Sequence, residues 1–197
     1  MTEIVGIATD ARNVDGRVQA MTVLTPIRPR STFLLRLGFF VGRHYKPLSA
    51  KLRQLSFIHY ARWSIVTRIP ENGPPQEPER LHYDYLMFTT NFNGTWDQYI
   101  DAFSEVVPSR MKAIWGSSFG FPGPAPVGPF KAYIRRNEFV TNHYYGAYPE
   151  ASTTLVLSAL DLRERFARFA RGVQDDIEPE AFRAAWLAFL TEVQAHL

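Results

Sequence analysis

The run Phe57-Ile-His-Tyr-Ala-Arg-Trp-Ser-Ile-Val66 constrains this chain more than any other stretch, because its aromatic and β-branched side chains suit a pleated surface and crowd a helix. It is predicted as a strand with both faces largely buried. A loop carrying Pro70, Pro74, Pro75 and Pro78 separates it from a second extended run, Leu81 to Phe92, and that spacing suits an antiparallel pair. The spine of the fold is therefore expected to be a sheet.

The remaining segments are placed around this pair. The first sixteen residues mix Asp, Arg, Asn and Gly and read as a loosely held terminus. Arg17 to Pro26 predicts a strand that ends at Pro26 and Pro29, and Ser31 can cap a helix over Thr32–Val41. After Pro47, the spacing of Leu48, Leu52 and Leu55 predicts a short amphipathic piece. Asn93-Gly94 closes the second strand of the pair. Thr95-x-x-Gln98 is then a capping box for a helix with Asp97, Asp101 and Glu105 on a solvated side and Tyr99, Ile100, Phe103, Val106 and Val107 opposite. Pro108 is expected to kink or restart that helix before Met111, Ile114 and Trp115.

Residues 116–129 contain four Gly and four Pro and must form an apolar loop, in which Ser117 and Ser118 read as turn formers. The alternation from Phe130 to Tyr148 predicts one long bent strand or two short ones, and helices over 153–171 and 179–196 close the chain. The resulting order, β-α-β-β-α-β and then helices, implies the α+β class and a ferredoxin-like antiparallel sheet over residues 17–149. Residues 1–16 would precede it as a flexible arm, and 150–197 would follow as a two-helix extension packed on the same domain. Helices cover one sheet face in such a plan. The other must be covered by the extension, a ligand or a second copy, so a homodimer is compatible with it.

A resemblance accompanies this order. Val23-Leu-Thr-Pro-Ile27, His59-Tyr-Ala-Arg-Trp63, Leu86-Met-Phe-Thr-Thr-Asn-Phe-Asn-Gly94 and Ile114-Trp-Gly116 together resemble the vocabulary of bacterial α+β barrel proteins in the neighbourhood of dye-decolourising-peroxidase-like domains. The likeness extends over roughly residues 20–150 and implies a fold rather than a reaction. The distal Gly-x-x-Asp-Gly motif of the peroxidases is absent, since Arg12-Asn-Val-Asp-Gly16 begins with Arg and precedes the fold. Haem chemistry is therefore not carried over.

Composition excludes several function classes. There is no cysteine among the 197 residues, so disulfides, thiolate metal sites and a cysteine nucleophile are out, and a cytosolic setting is expected. The start of the chain, Met1-Thr2-Glu3-Ile4, does not read as a secretory signal.

Net charge is +3, but seven basic residues and no acid lie between Ile27 and Gln54, leaving the rest of the chain net acidic. Such asymmetry points to an anionic partner. On a helical wheel Arg36 and Arg43 form a narrow stripe, while Phe33, Leu34, Leu35, Leu37, Phe39, Phe40 and Val41 fill most of the remaining circumference, more than one core-facing helix requires. About twenty apolar residues are needed to span a bilayer, and this run is too short. The expected function is accordingly that of a non-catalytic accessory protein. It would dock on the cytosolic membrane face or on a membrane-protein partner through Arg28, Arg30, Phe33, Arg36, Phe39, Phe40, Arg43 and Lys46. The competing expectation is a helix buried all round between sheet and extension. Nucleic acid is disfavoured, because the aromatic signature of the RNA-binding sheet is missing and the charge lies on a helix.

The alternative expectation is an oxidoreductase, peroxidase- or monooxygenase-like, with an aromatic or lipid-like substrate in a sheet-lined pocket and His59 as its reactive group. No cofactor is expected on the accessory reading, and haem only on this alternative. Period-two alternation puts His59 with Phe57, Ala61 and Trp63, and Arg62 with Ile58, Tyr60 and Ser64. Arg62 is expected to pair with Asp84 on the neighbouring strand. His82 and His143 lie too far along the chain from His59 to suggest a metal site by spacing, and none is expected.

Overall fold

A computed structural model of the chain describes residues 13–44, 55–173 and 177–196. It divides into two units, the first ending at Glu150 and the second beginning at Ala151. The first is α+β. Its elements are β1 (Val14–Asp15), β2 (Val18–Pro26), α1 (Ser31–His44), β3 (Ile58–Val66), β4 (Tyr85–Asn93), α2 (Trp96–Val106), α3 (Pro108–Trp115), α4 (Val127–Asn137) and β5 (Glu138–Phe139). The arm before residue 13, the piece carrying Leu48 and Leu52, and Lys46 lie outside the described residues.

The sheet is antiparallel throughout, with the path β1-β2-β4-β3 and β5 also paired to β2. Strand β4 takes one edge of β2 along all nine residues, Val18 opposite Asn93 through Pro26 opposite Tyr85. The other edge of β2 is shared end to end: β1 pairs at Val18 and Gln19, β5 at Thr22 and Val23. Alternation does what the sequence requires of it. Met21, Val23 and Thr25 of β2 and Leu86, Phe88, Thr90 and Phe92 of β4 are buried on one face, against Trp96, Tyr99, Ile100 and Phe103 of α2 and Phe130 and Ile134 of α4.

Several expectations are corrected. Strand β3 is not buried on both faces. It lies at the sheet edge with Tyr60 and Arg62 exposed, because aromatic and β-branched content reports fitness for a pleat, not position within the sheet. Residues 127–137 are helical rather than extended, and only Glu138–Phe139 joins the sheet. Val127, Phe130, Tyr133 and Ile134 recur at helical spacing and three of them are buried, so burial of one stripe outweighs the weak alternation. Asn13 is buried, its carbonyl accepts from Ala20 N and its Oδ1 accepts from Thr141 N at 2.9 Å.

The α2 capping box forms as read, with Gln98 N donating to Thr95 Oγ1 at 3.2 Å and Thr95 N donating to Gln98 Oε1 at 3.2 Å. Its acidic side is more than solvated surface: Lys131 of α4 reaches Asp97 and Asp101 at 2.9 and 2.8 Å. These bonds, Asp101 first, hold the Lys131 pKa above its ordinary value. Ser118 is fully buried and its Oγ meets Thr25 Oγ1 at 3.0 Å, tying the Gly/Pro loop to β2.

The second unit consists of α5 (Thr153–Gly172), α6 (Pro179–Val193) and a 3-10 turn, Gln194–His196. Phe166 and Phe169 of α5 meet Trp186 and Phe189 of α6, with Phe169 stacked on Phe189 at 4.8 Å between ring centroids. No described helix is long and apolar enough to cross a membrane.

Candidate functional site

Helix α1 has two faces, and only one is used by the fold. Leu35 is its single buried residue and joins the core; one turn on, Phe39 is half-buried with its ring 6.4 Å from that of Trp63. Thr32 donates to the Asp84 carboxylate at the start of the helix. These residues fall on one stripe at i, i+3 and i+7. The opposite stripe faces solvent: Phe33 is 72%, Leu34 67% and Phe40 62% exposed, with Leu37 and Val41 also exposed. Solvent-facing aromatic and aliphatic side chains at this density exceed the scattered apolar residues of an ordinary surface.

Charge around this stripe is of one sign. Arg36 and Arg43 are exposed on its flank and make no ion pair among the described residues. Arg30 is exposed at the helix entry with φ of 72°, a left-handed turn conformation rare for a side-chain-bearing residue, and this turns the chain sharply into α1. His44 Nδ1 lies 2.8 Å from the Phe40 carbonyl at the last turn, and its ring packs on Phe40. There is no acid in the first turn or anywhere else on the helix.

The structure sorts the sequence-derived residues. Arg30, Phe33, Arg36, Phe40 and Arg43 come together on the solvent side of α1. Arg28 does not: it donates to the Gly116 carbonyl at 3.1 Å and lies over the Phe119 ring, so it fastens the β2–α1 connection to the Gly/Pro loop. Phe39 is turned inward, and Lys46 is outside the described residues. Leu34, Leu37 and Val41 belong to the same solvent face; the helical wheel contains them, but the wheel alone does not tell which apolar residues the core takes.

His59 is placed differently from the alternation. The register slips there, with Ile58 opposite Phe92 and Tyr60 opposite Asn91, so His59 is the extra residue of a β-bulge and Ile58 packs against the core with Ala61 and Trp63. A bulge on an edge strand twists it away from further pairing, which is one way edges are protected. The His59 Nε2 atom is buried without a hydrogen-bond partner among the described residues. Arg62 donates through Nε to Thr89 Oγ1 at 3.2 Å instead of pairing with Asp84, whose carboxylate is taken by Thr32. His82 packs edge-on against Tyr83, and no group of His, Asp and Glu able to hold a metal ion occurs among the described residues.

No protein-family model, curated protein or solved structure matches this chain.

Proposed function

We propose that the protein is a non-catalytic accessory protein that docks on an anionic membrane surface through the outer face of α1. The observation that carries this reading is the juxtaposition of exposed Phe33, Leu34, Leu37, Phe40 and Val41 with the unopposed Arg30, Arg36 and Arg43. At 14 residues α1 is about 21 Å long, so it would lie in the interface rather than cross it. Its arginines would each contribute about 1 kcal/mol near an anionic leaflet. The aromatic and aliphatic side chains supply the larger, salt-insensitive part.

The sheet supports a finer reading of the fold. Leaving out the two-residue β1, the pairing of β5 with β2, β2 with β4 and β4 with β3 is what supports a ferredoxin-like plan, whose fourth strand would be shortened to two residues. Such a scaffold would hold α1 rigidly by its Leu35 and Phe39 stripe while leaving the other stripe free.

Flotation of the purified protein with phosphatidylglycerol vesicles, compared with phosphatidylcholine vesicles, tests the docking. Flotation with the anionic vesicles is expected, weakening with salt. Phe33→Ser with Phe40→Ser should abolish it, and Arg36→Glu with Arg43→Glu should remove the preference for anionic lipid. Absence of flotation in the wild type, or unchanged flotation of the Phe33/Phe40 variant, would overturn the reading and leave a protein groove as the occupant of the same face.

A further inference from the structure

The arginines of α5 are of two kinds. Arg165 is fully engaged: its Nε donates to Asp161 Oδ2 at 2.7 Å and its NH1 to Glu192 Oε1 at 2.7 Å. Arg163, Arg168 and Arg171 are exposed and make no hydrogen bond or ion pair among the described residues. Arg168 acts on Asp161 only through its field.

These three arginines, with Glu164 and Ala167, line a shallow depression of about 320 Å³. Arg163, Ala167 and Arg171 succeed one another at i, i+4 and i+8, along one row of the helix with about 6 Å between neighbours. Arg168 stands on the adjoining row. The row has a methyl group at its centre and a guanidinium at each end, so the two long side chains can bend toward each other across Ala167. Among the five residues that line it, three guanidiniums stand against the one carboxylate of Glu164, and like charges such as Arg168 and Arg171, at i and i+3, repel unless an anion joins them. A tetrahedral dianion offers oxygens to several planar forks at once, which a chloride ion cannot do.

We propose that this depression on α5 binds a phosphomonoester-type anion, supplied either as free phosphate or as a lipid headgroup. The site is separate from α1 and does not rest on the docking reading.

The test uses the full chain. Millimolar inorganic phosphate is expected to raise the unfolding midpoint above that in chloride of equal ionic strength. Arg163→Gln, Arg168→Gln and Arg171→Gln combined should abolish the difference, and Glu164→Gln should lower the phosphate concentration needed by several-fold. The Glu164→Gln gain keeps the test meaningful even where the triple variant folds poorly. The source is separated in the Phe33→Ser/Phe40→Ser background, where α1 no longer inserts. Arginine-dependent flotation there with phosphatidic acid vesicles, displaced by free phosphate, assigns the headgroup. Phosphate stabilisation without such flotation assigns the free ion. If phosphate acts no differently from chloride and flotation is independent of the three arginines, or if the triple variant responds to phosphate as the wild type does, the site does not exist.

Discussion

His196 Nε2 lies 3.0 Å from Asp161 Oδ2, and Nδ1 of the same ring meets Ser158 Oγ at 3.0 Å. The connectivity is that of a serine, histidine and carboxylate relay, but the surroundings are not those of a nucleophile. Ser158 sits inside α5, where backbone N–H groups serve the helix and none is aimed at a developing oxyanion. The group acts as a clasp holding the terminal 3-10 turn against α5, with Arg165 bracing Asp161 from the other side.

The clasp has an acid limit. Asp161 is held below its ordinary pKa of 3.8, first by the hydrogen bond from Arg165 and further by the charges of Arg165, His196 and Arg168. A depressed carboxylate pKa contributes stability that is present above 3.8 and lost as pH falls through the lower folded value. The His196 side-chain resonances should therefore sharpen toward those of a free ring only below pH 3.8, whereas Asp161→Asn should show the freed ring already at neutral pH. A ring equally restrained in the variant would mean that Ser158 alone holds it.

Trp96 Nε1 donates to Glu138 Oε2 at 3.0 Å, and Arg135 lies 3.7 Å over the Trp96 ring while its NH1 is 3.8 Å from the same carboxylate. The Glu138 side chain is only 3% exposed, so this charge depends on its partners. Trp96→Phe keeps much of the ring and removes the donor, and should cost about 1–3 kcal/mol in chemical denaturation. A loss within error would show that the carboxylate's other partners satisfy it without the indole donor.

Adjacent leucines on α1 should behave oppositely. Leu35 is 7% exposed and Leu34 67% exposed. Leu35→Ala should destabilise by about 2–4 kcal/mol, whereas Leu34→Ala should leave stability within about 0.5 kcal/mol. Similar losses at both positions would mean that the outer face of α1 is covered in the free protein.

Gly16 adopts φ of +57°, and a Cβ there would stand 2.5 Å from the Pro149 carbonyl oxygen, beside the hydrogen bond from Arg17 N to that same oxygen. Gly16→Ala combines backbone strain with a clash against backbone that has no rotamer by which to yield. It should destabilise the first unit by about 2 kcal/mol or more, measured by denaturant unfolding. An alanine variant as stable as the wild type would show that the 146–150 segment shifts freely.

The local features were legible because they depend on neighbours in sequence. Three strands were read to within a few residues of β2, β3 and β4, the Thr95 capping box forms as written, and Pro108 begins a new helix. The Phe130–Tyr148 stretch was not legible, since its apolar residues fit two periods and only packing of Phe130, Tyr133 and Ile134 chose the helical one. The bulge at His59 was hidden too. One extra residue reverses the faces that alternation assigns, and nothing in the run itself marks where the register slips.

By itself, the sequence determined that this chain builds an antiparallel sheet with helices, that its excess of positive charge is gathered before Gln54, and that the Phe33–Val41 run carries more apolar surface than one buried face can use. Tertiary structure alone decided which side of that run the core would take. A helix presents Leu34 and Leu35 with the same local chemistry, and only the place where β3 and Trp63 meet α1 buries one and leaves the other in water. The same holds for the arginines of α5: their spacing is written in the chain, but Glu192 and Asp161 had to be brought to Arg165 before the other three could be recognised as unpaired among the described residues.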